Sequence, residues 1–143
     1  MNESSEDLFG FAETEVRQLL SRDLDDLHIC MKSSANKSAM VMIGSLIESV
    51  LYYHIESVDE IKKKIENFEK RNVHLSDLLT WAKQFGIIDD GLYKLADPIR
   101  DYRNLIHPRV QIRLGVQVSE NLIQIGYNVL LEIIRSVNNT QIR

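Results

Sequence analysis

The sequence predicts an all-α fold, an antiparallel bundle of about five or six helices. Only two prolines and six glycines interrupt the 143 residues. Apolar residues recur every three or four positions along almost the whole chain, which is the period of amphipathic helices. The segments between these patterns are short and polar, so neighbouring helices are expected to be antiparallel. A chain of this length forms one domain, 1–143, with frayed tails at 1–6 and 139–143.

The first two predicted helices differ in how their apolar residues are distributed. The first, from Asp7 to Lys32, has one apolar face and one charged face. A polar turn at 33–38 offers several N-caps for the second, from Lys37 to Glu56. The second helix is apolar nearly all round, and it is therefore expected in the centre of the bundle or between two subunits. The apolar face of the first helix includes Leu19, Leu20 and Leu27.

Capping signals define the next two predicted helices. Ser57 is predicted to cap a third helix, because Glu60 follows three residues later as in a capping box. A fourth helix, from Leu75 to Phe85, ends before Gly86, a residue that readily adopts the left-handed conformation found beyond a helix C-terminus.

The C-terminal third contains a further helix, a connection and a last helix. Asp97 and Pro98 leave two alternatives for the further helix: it begins there with Asp97 as N-cap, or it passes through Pro98 with a kink. The connection at 109–118 is predicted as a loop with a short extended piece. Ser119 then caps the final helix, whose polar end is expected to fray.

The segment 97–108, DPIRDYRNLIHP, contains the main candidate site. If it is helical, polar side chains separated by three, four and seven residues share one face, and an adjacent apolar stripe anchors the helix. The displayed groups are suited to an anion such as a phosphodiester. They belong to Arg100, Arg103, Asn104 and His107. Because Pro108 disfavours helical geometry at the preceding residue, the imidazole is expected in the last turn or just beyond it.

Charge distribution supports the same segment. A net charge of -4 argues against a protein that coats nucleic acid non-specifically. Residues 98–113, however, contain four arginines and a single acidic residue, Asp101, a net charge of +3 that leaves -7 for the remainder. A polyanion would be drawn to this region, and Arg109 is a candidate for binding it. The alternative is that the arginines pair with acidic neighbours such as Asp97 and Asp101.

Glu48 is a candidate because of its position in the apolar second helix. It lies between Ile47 and Leu51, where an unpaired carboxylate would be costly. Either an arginine of the candidate segment pairs with it, so that Glu48 orients that arginine, or Glu48 lies on the one wet edge of the helix.

The sequence lacks the residues that several kinds of catalytic and metal-binding site require. The sequence has no HExxH motif and no glycine-rich phosphate loop, and its single cysteine, Cys30, excludes a cysteine-rich zinc site, so neither metal nor cofactor is expected. His28, His54 and His74 have no companions at catalytic spacing and are predicted to be ordinary surface or partly buried residues. The N-terminus lacks the features of a secretory signal and no apolar run reaches about 20 residues, so a cytoplasmic protein without a membrane partner is expected.

The string IRDYRNLIHP, preceded by the apolar helix VMIGSLIESVLYY and followed by an amphipathic helix, resembles the bacterial type of the HEPN (higher eukaryotes and prokaryotes nucleotide-binding) superfamily. The resemblance covers roughly 37–137. The signature of the superfamily is an arginine, four to six residues, and a histidine near the end of a helix. Arg100 fits this spacing to His107, whereas Arg103 is closer but is followed by Asn104, as in the common Arg-Asn form. The resemblance therefore leaves open which arginine is catalytic.

The resemblance implies a metal-independent endoribonuclease, a toxin or defence effector, with a composite active site at a homodimer interface. His107 would transfer protons while Arg103, Arg100 and Asn104 contact the phosphate. It also allows a non-catalytic module for nucleotide or RNA binding, or for dimerisation, in a bacterial defence or regulatory complex. The implied partners are a second copy, RNA or a nucleotide, and an antitoxin or defence-complex protein. Arg109 stands where related toxins often carry a tyrosine, so regulation by nucleotide transfer to that tyrosine is not expected.

Overall fold

The computed structural model describes residues 5–103, 107–115 and 117–142, and this part of the chain is all helical. The predicted all-α class is confirmed, and the described residues contain seven α-helices where five or six were predicted. Short 3-10 helices occupy Ser5–Phe9 and Phe68–Lys70. The α-helices are α1 (Thr14–Lys32), α2 (Asn36–Ser57), α3 (Asp59–Lys63), α4 (Leu75–Gln84), α5 (Asp90–Arg103), α6 (Pro108–Leu114) and α7 (Glu120–Ile142).

Helix α2 is the centre of the core, as its apolar composition predicts. It packs against α1, α3, α4, α5 and α7. Its buried residues form one broad face against these helices, while Ser45 on the opposite side is exposed and Ser49 and Tyr52 are partly buried. Length and composition alone would also allow α2 to cross a membrane, but more than half of its most apolar stretch is buried among the other helices, and core helices pass the same test.

Two predicted boundaries in the first half of the chain are wrong. α1 begins at Thr14, well after Asp7, since Ser5–Phe9 forms a 3-10 helix that buries Phe9. Ser57 does not cap α3: it is the last residue of α2, and its hydroxyl donates to the carbonyl oxygen of His54 at 2.7 Å. Val58, with an extended backbone, takes the N-cap position of α3 instead.

Helix α5 passes through Pro98, which decides between the two alternatives for this helix. It begins at Asp90 rather than at Asp97. Asp89 supplies the start signal, because its Oδ1 accepts a hydrogen bond from the backbone amide of Leu92 at 2.7 Å. Gly86, with a φ of +73°, has the left-handed conformation predicted beyond the end of α4.

The predicted loop at 109–118 is wrong for its first half, which is helix α6. Pro108 occupies the first turn, where its missing N–H costs nothing, and Gly115 ends the helix with a φ of +62°. Ser119 caps α7 as predicted: its Oγ accepts from the amide of Leu122 at 3.1 Å. α7 continues to Ile142, beyond the predicted fraying, and Asn138 donates from Nδ2 to the carbonyl oxygen of Leu8 at 2.9 Å.

Buried His54 on α2 predicts a loss of stability in mild acid. Its ring packs edge-on against Phe11 with centroids 6.3 Å apart, and burial lowers its pKa below the ordinary 6.5. The unfolded chain therefore takes up a proton near pH 6 that the folded chain does not. The free energy of unfolding should hold above about pH 6.5 and decrease below it, by up to about 1.4 kcal/mol per pH unit.

Urea denaturation between pH 5 and 8 measures this effect. His54→Phe should flatten the decrease whatever it does to stability at pH 7, whereas His28→Gln, which alters an exposed histidine, should leave the decrease in place. An unchanged pH dependence in His54→Phe would rule out His54 as its source.

Candidate functional site

Arg103 at the end of α5 reaches α2 through a gap left by Gly44. A Cβ added at Gly44 would lie 3.3 Å from both Cβ and Cδ of Arg103, so the arginine stem lies directly over this glycine. Its Nη1 donates to Oε2 of Glu48, one helical turn further along α2. The side chains are 37% and 25% exposed, respectively. This ion pair therefore joins α2 to α5 at the edge of the core.

Of the two alternatives for Glu48, the structure has the one in which a motif arginine pairs with it. Sequence reasoning did not identify the role of Gly44. The available signal was a glycine within an apolar helix, four residues before the only acidic residue in its central part. On a helix this spacing places the glycine and the carboxylate on the same face, so an arginine can lie over one and bind the other.

Arg100 lies one turn before Arg103 and pairs within its own helix. Its Nε donates to Oδ1 of Asp97 at 3.0 Å, and its side chain is 44% exposed. The alternative in which the arginines form ion pairs with acidic neighbours thus holds for Arg100 with Asp97. A guanidinium has five N–H donors, and each of the two ion pairs engages one nitrogen, so both arginines keep donors for another ligand.

Both arginines line one cleft of about 280 Å³ between the start of α4 and the end of α5. The cleft is mainly polar. Its wall consists of His74, Leu75, Ser76, Arg100, Asp101 and Arg103. His74 and Ser76 were not expected here, because no spacing in the sequence relates them to the arginines. The packing of α4 against α5 brings them together.

His107 lies outside α5, at the residue before α6. Its backbone is extended, with φ -89° and ψ 113°, as expected of a residue before proline. The seven-residue spacing therefore does not by itself bring its imidazole to the face of Arg100, since that argument requires continuous helix. The imidazole is exposed, and within 5–103, 107–115 and 117–142 no hydrogen bond or ion pair joins it to Arg100 or Arg103. Asn104, the fourth predicted member, lies outside the described residues.

Arg109 and Arg113 give α6 an exposed basic surface. Neither forms an ion pair with another described residue. Lys37 at the start of α2 donates from Nζ to Oε1 of Gln111 at 3.1 Å, which connects α6 to the centre of the fold. Arg109 is thus available to an anionic ligand.

The fold and the cleft together define an all-α protein with an arginine-lined polar cleft. Comparisons with family models, with curated proteins and with solved structures find no match. In the part of the chain that the structure describes, no group of three or more histidine, cysteine, aspartate or glutamate side chains is placed to hold a metal ion.

The Arg103 ion pair predicts a measurable effect of Glu48→Gln. The substitution leaves a half-buried guanidinium without its counter-charge, so the free energy of unfolding should decrease by about 1 kcal/mol. Glu132→Gln is the matched control, because Glu132 pairs with Arg135 in an exposed, local contact on α7, and its loss should cost less than about 0.5 kcal/mol. If urea denaturation at pH 7 shows the same loss of unfolding free energy for both variants, the ion pair of Glu48 with Arg103 is no more stabilising than an exposed pair.

Proposed function

We propose that this protein is a cytoplasmic, metal-independent endoribonuclease of the HEPN type whose composite active site forms between two copies of the chain. The observation that carries the proposal is the position of Arg103. Glu48 and Gly44 hold it at a polar cleft that it shares with Arg100, in the segment that resembles the motif of the superfamily. Such fixed donors cost little reorganisation when charge develops on a phosphate.

The proposed reaction needs proton transfer and charge stabilisation. An imidazole removes the proton of the ribose 2′-hydroxyl, the 2′-oxygen attacks phosphorus, and the bond from phosphorus to the 5′-oxygen breaks as that oxygen receives a proton. The products are a 2′,3′-cyclic phosphate and a 5′-hydroxyl. His107 is assigned the proton transfer. Arg103, Arg100 and Asn104 are assigned the contacts to the phosphate and its growing charge, and Arg109 a contact to the RNA strand.

Two observations favour a second copy beside α5. Leu95 on α5 and Ile125 on α7 are large, exposed apolar residues, and both line an apolar groove next to Pro98. One chain also supplies one motif histidine, whereas the reaction needs both a base and an acid. A second copy on this groove would cover apolar surface and contribute the other histidine.

Cleavage in the presence of EDTA tests the proposal. Purified protein should cut single-stranded RNA with EDTA present and leave 2′,3′-cyclic or 3′-phosphate ends, and light scattering should give about twice 16.5 kDa. Ile125→Glu places a charge on the groove and should lower both the mass and the cleavage, while Ile29→Glu, also at an exposed isoleucine but on α1, should lower neither. A strictly monomeric protein, or cleavage that EDTA abolishes, would contradict the composite site.

A non-catalytic RNA-binding or dimerisation module is the second candidate. The backbone of His107 favours it, because it is extended, and the helical spacing that would place the imidazole on the face of the arginines does not hold for an extended residue. RNA binding that depends on Arg103 and Arg109, together with no cleavage of any RNA tested, would establish this alternative. Its partner would then be an antitoxin or another protein of a defence or regulatory complex.

A further inference from the structure

The cleft between α4 and α5 contains a histidine that the proposed reaction does not use. His74 lies immediately before α4 and lines the same cleft as Arg100 and Arg103. Its backbone N–H donates to Oδ2 of Asp77 at 3.0 Å, which fixes the backbone at the entrance of α4. The imidazole is exposed. The capping box at the start of α4 also directs the backbone N–H of Asp77 to the side chain of His74. An imidazole has two ring nitrogens, so one of them remains for a ligand.

The hydrogen-bond donors of this cleft come from α5 and from the start of α4, and ion pairs orient the two arginines among them. Nη1 of Arg103 is bound to Glu48 and Nε of Arg100 to Asp97, and the remaining guanidinium nitrogens have no hydrogen-bond partner among the described residues. Ser76 adds a hydroxyl. Asp101 is the one acidic residue in the wall. The ion pairs reduce the net charge of the cleft, so we expect weak, salt-dependent binding of anions rather than tight binding.

We propose that this cleft binds a phosphate group through Arg100, Arg103 and His74. Because all three residues belong to one chain, these phosphate contacts need no side chain from a second copy. A tetrahedral phosphate offers several acceptor oxygens, which suits two guanidiniums and an imidazole that approach from different helices. The volume of about 280 Å³ is near the lower limit of small-molecule sites, roughly 300 Å³, and fits one phosphate group with part of its sugar. The inference rests on the proposed function in taking RNA as the source of the phosphate.

NMR titration of the imidazole resonances with inorganic phosphate, at constant ionic strength, tests the cleft directly. The chain has four histidines, so each signal can be assigned by substitution. The His74 signals should shift and saturate, while those of His28, which bonds to Tyr127 on α7, should not. No saturable shift at His74, or an equal shift at His28, would overturn the proposal.

Matched variants test which side chains bind the phosphate. His74→Ala and Arg100→Gln should each weaken phosphate binding about fivefold or more. Both residues are exposed, so the variants should keep the far-ultraviolet circular dichroism of the parent. Lys63→Gln removes an exposed positive charge outside the cleft and should change the affinity less than about twofold. An equal loss from Lys63→Gln would mean that general charge, and not this cleft, attracts phosphate.

A dinucleotide with a 2′-deoxy group at the cleavage position, which cannot be cut, identifies the source of the phosphate. If it displaces inorganic phosphate from the cleft, RNA is the ligand. If phosphate binds but the dinucleotide does not compete, the cleft is a site for free phosphate and the link to RNA is overturned. The two proposals fail separately: binding at His74 without any cleavage contradicts only the ribonuclease, and cleavage without binding at His74 contradicts only this inference.

Discussion

Replacing His107 with alanine should reduce cleavage of single-stranded RNA by at least about a hundredfold, because a positioned acid or base typically contributes a factor of about 10² to 10⁴. The fold should be unaffected. The side chain is exposed, and Pro108 keeps the preceding backbone extended whichever residue stands there. Initial rates on a fluorescent RNA in EDTA, with urea denaturation of the same samples, measure both expectations.

His28→Ala is the control for this experiment, since it removes an exposed histidine on α1 and should leave cleavage unchanged. Unaltered cleavage in His107→Ala would remove this residue from the mechanism. It would also leave His74, in the cleft with the arginines, as the histidine to test next.

The same assay separates the two arginines. Arg103→Ala should reduce cleavage more than Arg100→Ala, because the contacts with Gly44 and Glu48 hold Arg103 in place. Among the described residues, Arg100 pairs only with Asp97 on its own helix. A larger loss from Arg100→Ala would assign the catalytic role to the arginine whose spacing to His107 fits the superfamily signature.

Leu27→Ala should lower the free energy of unfolding by about 2 to 5 kcal/mol, because it opens a cavity in place of a fully buried side chain of α1. Leu19→Ala is the matched control on the same helix. Leu19 is 49% exposed, so its replacement should change the free energy of unfolding by less than about 0.5 kcal/mol. Urea denaturation of both variants at pH 7 measures the difference. Similar losses for the two leucines would show that the surface around Leu19 is covered in solution.

Predictions from local sequence were correct where the responsible contact is itself local. Gly86 and Ser119 act on backbone groups within a few residues, and Pro108 restricts the residue beside it, so no knowledge of the fold is needed. The capping box at Ser57 failed although its pattern was correct, because α2 extends to Ser57 and the N-cap position of α3 falls on Val58. Leu19 was likewise placed on the apolar face of α1, yet the other helices cover Leu27 and not Leu19.

The sequence by itself determined that the chain is helical, that α2 lies in the centre of the bundle or between subunits, and that an unpaired carboxylate at Glu48 would be costly. These properties follow from the period of apolar residues and from the cost of burying an unpaired charge. Only the tertiary structure decided which arginine pairs with Glu48, and that Gly44 leaves space for it. It also placed His74 beside the arginines and His107 beyond their helix. Such choices depend on how separate helices pack, and side chains far apart in the chain leave no periodic signal of their contact.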